Sequence, residues 1–268
     1  MKTLASNRDN VEFYDRFAEP YERIYSCVDA EEAVRQWRMI LDACSDGRPH
    51  GIDLVDIGCG PGWHLSAWAK AGFNVSGVDS SHRMLTAAKR NFSIDPGGKC
   101  DLYWRDVREL AMASETDSMS VTPKPSSFDL AVTHFNFLNL FAPSELQYVF
   151  AGVASLVRPG GVWLADCSVP GSPPPPVSEE YQFEAGDTLS CTGSWNVEAQ
   201  AFQQTWRGQN LDIIEAFWFH SVQRYQQCAL SSGWRTERLC EWRPDLSHDC
   251  WRELHSGAER LLLIFRRG

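Results

Sequence analysis

Residues 54–64, LVDIGCGPGWH, combine one carboxylate with three glycines in a spacing that suits a charged small ligand. A short apolar run leads into Gly58, Gly60 and Gly62, and a helical pattern follows. Glycine has no side chain and accepts positive φ, so such a turn lets the backbone approach a ligand closely, and the following helix offers free N–H groups. Asp56 would repel a pyrophosphate but attract an ammonium group. The turn therefore favours a nucleoside that carries an amino acid.

A dinucleotide site and a purely structural turn are the alternatives for this segment. The dinucleotide pattern G-x-G-x-x-G needs a third glycine for close packing of helix and sheet. Here that position is Trp63, and Gly62 comes one place early. Two further acids, Asp79 and Asp106, end strand patterns that follow. Each acid suits either a ligand contact or a helix N-cap, because caps favour Asp.

Strand and helix patterns alternate from residue 52 onward and predict the elements that position these residues. The runs IDLVDIG, NVSGVD, DLYWRD, FDLAVTHF and GVWLAD read as strands, and SHRMLTAAKRNF and SELQYVFAGVASLV read as helices. Strands that alternate with helices form a parallel sheet covered on both faces. We therefore expect an α/β fold with the acids at the ends of neighbouring strands.

The flanking segments predict a helical N-terminus and a β-rich insertion. Tyr14 and Tyr21 share the apolar face of a helix that Pro20 is expected to bend or break. A second helix is expected to begin at Asp29, with Glu32 as its capping partner. After the connector PGSPPPPV, alternating aromatic residues indicate hairpin strands, followed by a helix and a buried strand. The predicted units are an N-terminal helical lid (1–50), a ligand-binding core (51–176), a β-rich lid (177–220) and the C-terminal part of the core (221–268).

Composition argues against several classes of function. The 268 residues carry a net charge of −10 without a Lys/Arg cluster, whereas a face that binds nucleic acid is basic. The apolar runs are far shorter than the ~20 residues of a membrane helix, and the polar first ten residues show no signal peptide. We expect a cytoplasmic protein that binds neither nucleic acid nor membrane.

The cysteines and histidines suggest no metal site. No CxxC pair occurs among the nine cysteines, and the cluster Cys240, His248, Cys250 and His255 fits no usual zinc spacing. We therefore expect no metal, and cysteines that are reduced thiols.

Residues 54–64 resemble the glycine-rich motif of class I S-adenosylmethionine (SAM) dependent methyltransferases of the small-molecule type. The resemblance continues in chain order through Asp79, RDV at 105–107 and LVRPGGVWLAD, and covers about residues 10–266. It implies a Rossmann-like, mostly parallel sheet of seven strands whose last strand is antiparallel, with helices on both faces. It also implies SAM as the cofactor.

The resemblance assigns roles to individual residues. Asp79 matches the family's acid that accepts hydrogen bonds from both ribose hydroxyls, Asp106 and Val107 match its adenine site, and the glycine turn with Asp56 matches its methionine site. The full set expected at the cofactor is Tyr14, Tyr21, Asp56, Gly58, Cys59, Gly60, Asp79, Ser80, Met84, Asp106, Val107 and His134.

Departures from the family narrow the reaction. THFN stands where enzymes that methylate nucleic acids or glutamine amides carry Asn-Pro-Pro-Tyr or Asp-Pro-Pro-Tyr, and no cluster of metal carboxylates is evident. The resemblance implies methyl transfer to a nitrogen or oxygen of a small molecule, in specialised metabolism, by a monomer or homodimer. A histidine beside an apolar strand also suits a purely structural role. The candidate catalytic residues are Asn139, Tyr181, His134 and His220, with Asn136 and Glu215 as further polar groups at the reacting face.

Two other functions remain open at this point. On the same fold, the amine of SAM attacks its own γ-carbon in some relatives, giving azetidine-2-carboxylate and methylthioadenosine. Asn139 and Tyr181 could hold that amine, while lid aromatics fill the acceptor space or line a pocket for a flat acceptor. The third function is a non-catalytic SAM-binding module in a complex.

Overall fold

The computed structural model describes residues 7–26, 28–44, 52–94, 100–112, 122–169, 174–183, 186–198, 200–243, 251–253 and 258–268. Its α-helices are α1 (Asn7–Ile24), α2 (Ala30–Cys44), α3 (Trp63–Lys70), α4 (His82–Ile94), α5 (Leu146–Leu156) and α6 (Val222–Ser231). Short 3₁₀ helices span Val107–Met112 and Phe137–Leu140.

The strands form two sheets. The larger sheet contains β1 (Asp53–Ile57), β2 (Asn74–Asp79), β3 (Asp101–Trp104), β4 (Phe128–Thr133), β5 (Val157–Ser168), β10 (Trp234–Trp242), β11 (Trp251–Glu253) and β12 (Arg260–Arg267). The smaller sheet contains β6 (Val177–Gln182), β7 (Thr188–Asn196), β8 (Ala201–Gly208) and β9 (Leu211–Phe217).

The larger sheet confirms the predicted fold class. Its strand order is β11-β10-β12-β5-β4-β1-β2-β3. Strands β1 to β5 pair in parallel, and β12 runs antiparallel to both of its neighbours. The seven expected strands are present, and the three-residue β11, which the sequence analysis did not predict, adds an eighth at one edge.

The strand order creates a crevice beside β1. This strand pairs with β2 on one side and β4 on the other, so the chain leaves the sheet centre in both directions. In open α/β sheets, ligands bind at such a reversal, outside the carboxyl ends of the strands. Asp56 lies next to the end of β1 and Asp79 is the last residue of β2. The topology therefore brings the two predicted acids to one edge of the sheet.

Apolar side chains cover both faces of the larger sheet. On one face α5 and α6 bury residues such as Phe150 and Tyr225, and on the other α2 and α3 bury Trp37 and Trp68. Each large side chain that leaves water contributes roughly 1.5–3 kcal/mol. This burial fixes the strand ends on which the site is built.

The smaller sheet packs against α1. Phe13 and Phe17 of α1 form an apolar cluster with Leu189, Trp206 and Ile213 of the sheet. We call α1 and strands β6 to β9 the roof. The strands expected over 177–220 are seen here, while the division of the chain into lid and core units stays a prediction.

Helix α1 continues through Pro20, so of the two effects expected at this proline, a bend or a break, the break does not occur. Proline removes one helical hydrogen bond and crowds the preceding turn. Here the aromatic residues before and after it are anchored, because Phe17 packs on Trp206 and Tyr21 stacks on Trp63. The start expected for α2 is confirmed, since the Glu32 N–H donates to Asp29 Oδ1 at 2.9 Å.

The described helices include none that is long and apolar enough to cross a membrane. Of the Cys/His cluster noted in the sequence, only Cys240 falls within the described residues, where it is buried in β10. Residues 244–250 and 254–257, which hold the rest, lie outside them. Within the described ranges no group of three or more His, Cys, Asp or Glu side chains could hold a metal ion.

Replacement of Gly152 by alanine should destabilise the fold although alanine is the better helix former. A Cβ at Gly152 of α5 would lie 1.8 Å from the carbonyl oxygen of Val107, which opens the 3₁₀ helix after β3. In an open helix this change stabilises by about 1 kcal/mol, whereas forced overpacking costs about 1–3 kcal/mol. Urea denaturation should show a lower midpoint for Gly152→Ala. An unchanged or higher midpoint would contradict the close approach.

Candidate cofactor site and active site

One cleft at the carboxyl ends of β1, β2 and β4 brings the predicted cofactor residues together. It spans about 960 Å³, a volume that includes the open solvent at its mouth. All twelve residues expected at the cofactor line it. The other residues that line the cleft are Asn10, Val11, Ile57, Pro61, Trp63, His64, Val78, Arg105, Phe135, Phe137, Leu140 and Phe141.

The glycine turn forms the floor of the cleft. Gly58, Gly60 and Gly62 have φ values of 72°, 53° and 79°. The N–H groups of Gly58 and Cys59 donate to the Val78 carbonyl at 2.8 and 3.1 Å, which ties the turn to β2. A Cβ on Gly60 would meet no atom within 4 Å. The left-handed backbone requires glycine, and the open space at Gly60 leaves room for a ligand.

Asp79 joins the glycine turn to the start of α4. Its carboxylate accepts the N–H of Gly60 at 2.9 Å and the N–H of Ser81 at 2.8 Å. Burial raises the pKa of Asp79 to about 6, against the lowering effect of these hydrogen bonds. A carboxylate has about four lone-pair sites, so acceptor capacity remains for a ligand hydroxyl.

Asp56 is a buried acid with an unsatisfied carboxylate oxygen among the described residues. It is 1% exposed, and its Oδ1 has no hydrogen-bond partner in the described part of the chain. Burial, and then the nearby charge of Asp79, raises the pKa of Asp56 well above its usual range. A buried acceptor without a donor is costly. An ammonium group in the cleft would supply both the donor and the opposite charge.

The third acid, Asp106, is already held by Arg108. Its Oδ1 accepts the backbone N–H and Nε of Arg108, both at 2.9 Å, and its Oδ2 forms a short contact with the guanidinium. Arg108 also bonds Glu145 at 2.5 Å. These contacts fix Asp106 at the end of the cleft beside Val107.

His134 sits in a stack of rings and is neutral. The centroid of its ring lies 3.9 Å from the ring centroids of both Trp37 and His64, with interplanar angles of 23° and 13°. Its Nε2 accepts the indole N–H of Trp68 at 3.2 Å, so the ring proton of the neutral form must be on Nδ1. Burial lowers the pKa of His134 well below its usual value. His134 lines the cleft as a donor, and its Nε2 is not free to act as a base.

His64, which the sequence analysis placed only in the glycine motif, belongs to the same wall of the cleft. Burial lowers its pKa to about 4. Phe135 packs edge-on against His64 and has a left-handed φ of 58°, followed by Asn136 at 57°. Asp166 accepts the Asn136 N–H at 3.2 Å and pairs with Arg260 at 2.9 Å. No pattern in the sequence signals this turn, because non-glycine residues rarely adopt such φ values.

Helix α1 closes the cleft from above through polar contacts with the core. Asp15 Oδ1 accepts from Ser81 Oγ at 2.6 Å and from the N–H of Arg83 at 3.2 Å, so it caps α4 from another element. Glu22 pairs with Arg90 at 2.5 Å. Asn10 donates to the Leu140 carbonyl at 3.0 Å. These contacts hold Tyr14 and Tyr21 over the cleft.

Three of the four candidate catalytic residues do not line the cleft. Asn139 is fully buried. Its amide NH₂ donates to the carbonyl oxygens of Ser168 and Trp218, and its Oδ1 accepts the N–H of Ser168. His220 Nε2 lies 3.0 Å from the Phe141 carbonyl. Tyr181 contacts Glu179 and stacks on Trp206 in the roof. Catalytic roles for these residues stay predictions, and the contacts observed are structural.

Family and fold comparisons agree with this geometry. Residues 54–161 match a family described as methyltransferase domain. The cypemycin N-terminal methyltransferase of a Streptomyces species is 29% identical over 182 residues, which cover 67% of this chain and 62% of that protein. A ubiquinone biosynthesis O-methyltransferase of Ralstonia nicotianae is 34% identical over 111 residues, 41% of each chain. The chain therefore spans about two fifths to three fifths of the length of these relatives.

A solved structure reproduces the fold over almost the whole chain. The CcbJ methyltransferase of Streptomyces caelestis superposes with a TM-score of 0.71 at 15% identity, covering 97% of this chain and 99% of that one. At this identity the likeness concerns the fold. The matched family and the shared fold are both those of methyltransferases, in agreement with the resemblance to class I SAM-dependent methyltransferases, which implies SAM as the cofactor.

Asp79→Ala should weaken SAM binding by about tenfold or more, because hydrogen bonds to a charged group contribute roughly 1.5–3 kcal/mol each. Titration calorimetry on the folded variant measures the loss. Asp101→Ala is the matched control, since Asp101 is an exposed acid at the start of the neighbouring strand β3. Equal affinity in both variants would remove Asp79 from the cofactor site.

Asp56→Asn should change the proton balance of SAM binding. The pKa of Asp56 is raised in the free protein, and an ammonium partner would lower it, so binding below that pKa releases a proton. Calorimetry in two buffers of different ionisation enthalpy should show fewer released protons for the variant.

The same substitution should stabilise the free protein once the pH exceeds the folded-state pKa of Asp56. Because the folded pKa lies above the unfolded one, ionisation of Asp56 costs stability as pH rises through the folded value, and Asn avoids that cost. A variant with wild-type proton release and wild-type melting temperature would show that Asp56 does not meet the ammonium group.

Proposed function

We propose that this protein, whose residues 54–161 match the methyltransferase-domain family, is a SAM-dependent methyltransferase that acts on a nitrogen or oxygen of a small molecule in specialised metabolism. The observation that carries the proposal concerns Oδ1 of Asp56, which is buried and has no hydrogen-bond partner among the described residues. It lies near Asp79, the acid expected to bind the ribose. The two relatives named above are an N-terminal methyltransferase and an O-methyltransferase by name. Because a free N-terminus is an amine, the two names support nitrogen and oxygen as acceptor atoms.

The residues of the cleft fit SAM. The open space over Gly60 and the orphaned oxygen of Asp56 suit its amino-acid end, and Asp79 suits its ribose. Asp106 and Val107 would hold the adenine. When bound, SAM supplies a methyl group already activated by its sulfonium charge. The chain is left with alignment, exclusion of water and removal of a proton.

The aromatic residues of the cleft support a role in enclosing a cation. Tyr14, Tyr21 and Phe135 lie over or beside the glycine turn, and Trp63 stacks on Tyr21. Ring faces attract cations, more strongly when water is excluded. Helix α1, docked on the core through Asp15, forms one wall of this space, and water that it excludes cannot interfere with the displacement.

The reaction with SAM alone tests the proposal. Methyl transfer needs a second molecule, so SAM incubated with pure protein should persist, and S-adenosylhomocysteine should form only after an acceptor is added. Mass spectrometry of the nucleoside products measures this, with Asp79→Ala as the control for spontaneous decay. Methylthioadenosine formed by wild type from SAM alone, and lost in Asp79→Ala, would reject methyl transfer in favour of cyclisation.

A further inference from the structure

A buried carboxylate of the roof lies behind Tyr14, a residue of the cleft, and takes no part in the proposed contacts to SAM. Glu215 lies on β9 and is 4% exposed. It accepts a short hydrogen bond from Tyr14 Oη. Ile213, on the same face of β9, packs with Phe17 of α1. Glu215 therefore points towards α1. Tyr14 lines the cleft and is hydrogen-bonded to Glu215, so it connects the carboxylate to the cleft.

The groups that face Glu215 are hydroxyls and a thiol. Tyr14, Tyr21 and Tyr25 come from α1 and the residue after it, and Cys191 comes from β7. Burial is the main cause of the raised pKa of each, and the charge of Glu215 raises it further. Among the described residues no Lys, Arg or His pairs with Glu215. Burial raises the pKa of Glu215 to about 7, and the bond from Tyr14 lowers it only in part. The carboxylate is thus a base without a cation.

Acidic residues also lie on the core side of this space. Burial is the main cause of the raised pKa of Tyr21, and the charges of Asp79 and Asp166 raise it further. Asp166 has Arg260 as its partner, while Oδ1 of Asp56 has no hydrogen-bond partner within the described ranges. Arg105 also lines the cleft, but the acids Asp56, Asp79 and Asp106 outnumber it, and an excess of one sign of charge concentrates ligands of the opposite sign. Roof and floor together favour a positively charged guest.

We propose that Tyr14 and Glu215 form a proton-accepting pair over the cleft, and that the methyl acceptor is an amine that arrives as an ammonium ion. This inference rests on the proposed methyl transfer and names its acceptor class.

The proton and electron balance of the step is complete. An N–H proton of the ammonium passes to Tyr14 Oη while the Tyr14 proton passes to Glu215 Oε1. The freed nitrogen lone pair forms the N–C bond to the methyl group, and the broken S–C bond leaves its electron pair on sulfur. The products are a methylated ammonium ion, a neutral thioether and a protonated Glu215, which returns its proton to solvent when the roof opens.

The strength of the base favours nitrogen over oxygen. Proton transfer is most efficient when the base has a pKa near the working pH and not far from that of the acid. Glu215, at about 7, is closer to an alkylammonium than to an alcohol. An alcohol would also bring no charge to offset the buried carboxylate.

Binding of a simple amine tests the pair. The full chain is saturated with S-adenosylhomocysteine and titrated with benzylamine, which is charged at neutral pH, and with benzyl alcohol, its neutral analogue. We expect benzylamine to bind, and to bind about tenfold or more weakly to Glu215→Gln. Benzyl alcohol should bind poorly to both. The matched control is Glu180→Gln, an exposed glutamate on β6 of the same sheet.

Proton release separates a chemical role from a structural one. Below pH 7 Glu215 is mostly protonated, so capture of benzylammonium should release about one proton. The release should fade as pH rises through the pKa of about 7, and it should be absent in Glu215→Gln. A purely structural hydrogen bond between β9 and α1 would leave the proton release unchanged in the variant.

Turnover gives a second readout. With SAM and benzylamine, the wild-type rate should rise with pH and level off above the pKa of Glu215. Glu215→Gln should lose about 10²-fold in kcat, as for loss of a general base, and lose this inflection, with SAM affinity unchanged. Wild type that binds SAM but not benzylamine, or a variant with wild-type proton release, would overturn the inference. Wild type that does not bind SAM would instead overturn the proposed function.

Discussion

The site depends on carboxylates that are held out of water without cations beside them. Asp56 and Asp79 lie at the ends of adjacent parallel strands, and burial raises the pKa of both. Such groups destabilise a folded chain unless a partner satisfies them. Asp166 shows the contrast, because Arg260 pairs with it and the two serve to hold the turn at Asn136. The free protein therefore carries a local cost that a cationic ligand removes.

The roof turns this electrostatic arrangement into an enclosed space. Helix α1 is joined to the core by the Asp15 contact with the start of α4 and by the pair of Glu22 with Arg90. It is joined to the smaller sheet by an apolar cluster around Trp206. The contact of Tyr14 with Glu215 lies within the roof and does not involve the core.

The sequence predicted the parts of the protein that local patterns determine. Alternating strands and helices gave the sheet, and the glycine spacing placed Gly58, Gly60 and Asp56 correctly at one cleft with Asp79. It did not predict the persistence of α1 through Pro20, since the packing of Phe17 and Tyr21 decides that. Side-chain direction was equally out of reach. Asn139 and His220 read as reacting groups, but long-range contacts turn both into the interior. The pairing of Tyr14 with Glu215 joins residues 201 positions apart, which no local pattern encodes.

The way in which the roof is assembled bears on how such a protein diversifies. Strands β6 to β9 bury their apolar face mainly against Phe13 and Phe17 of α1, rather than against the sheet that carries Asp56 and Asp79. Substitutions on those strands can therefore reshape the space offered to an acceptor without disturbing the donor site. Strands β6 to β9 and helix α1 form one packed unit, so a change in the apolar residues of one must be matched by a change in the other. During evolution, substitutions within this unit can change the acceptor, while selection keeps the glycine turn at the floor of the cleft unchanged.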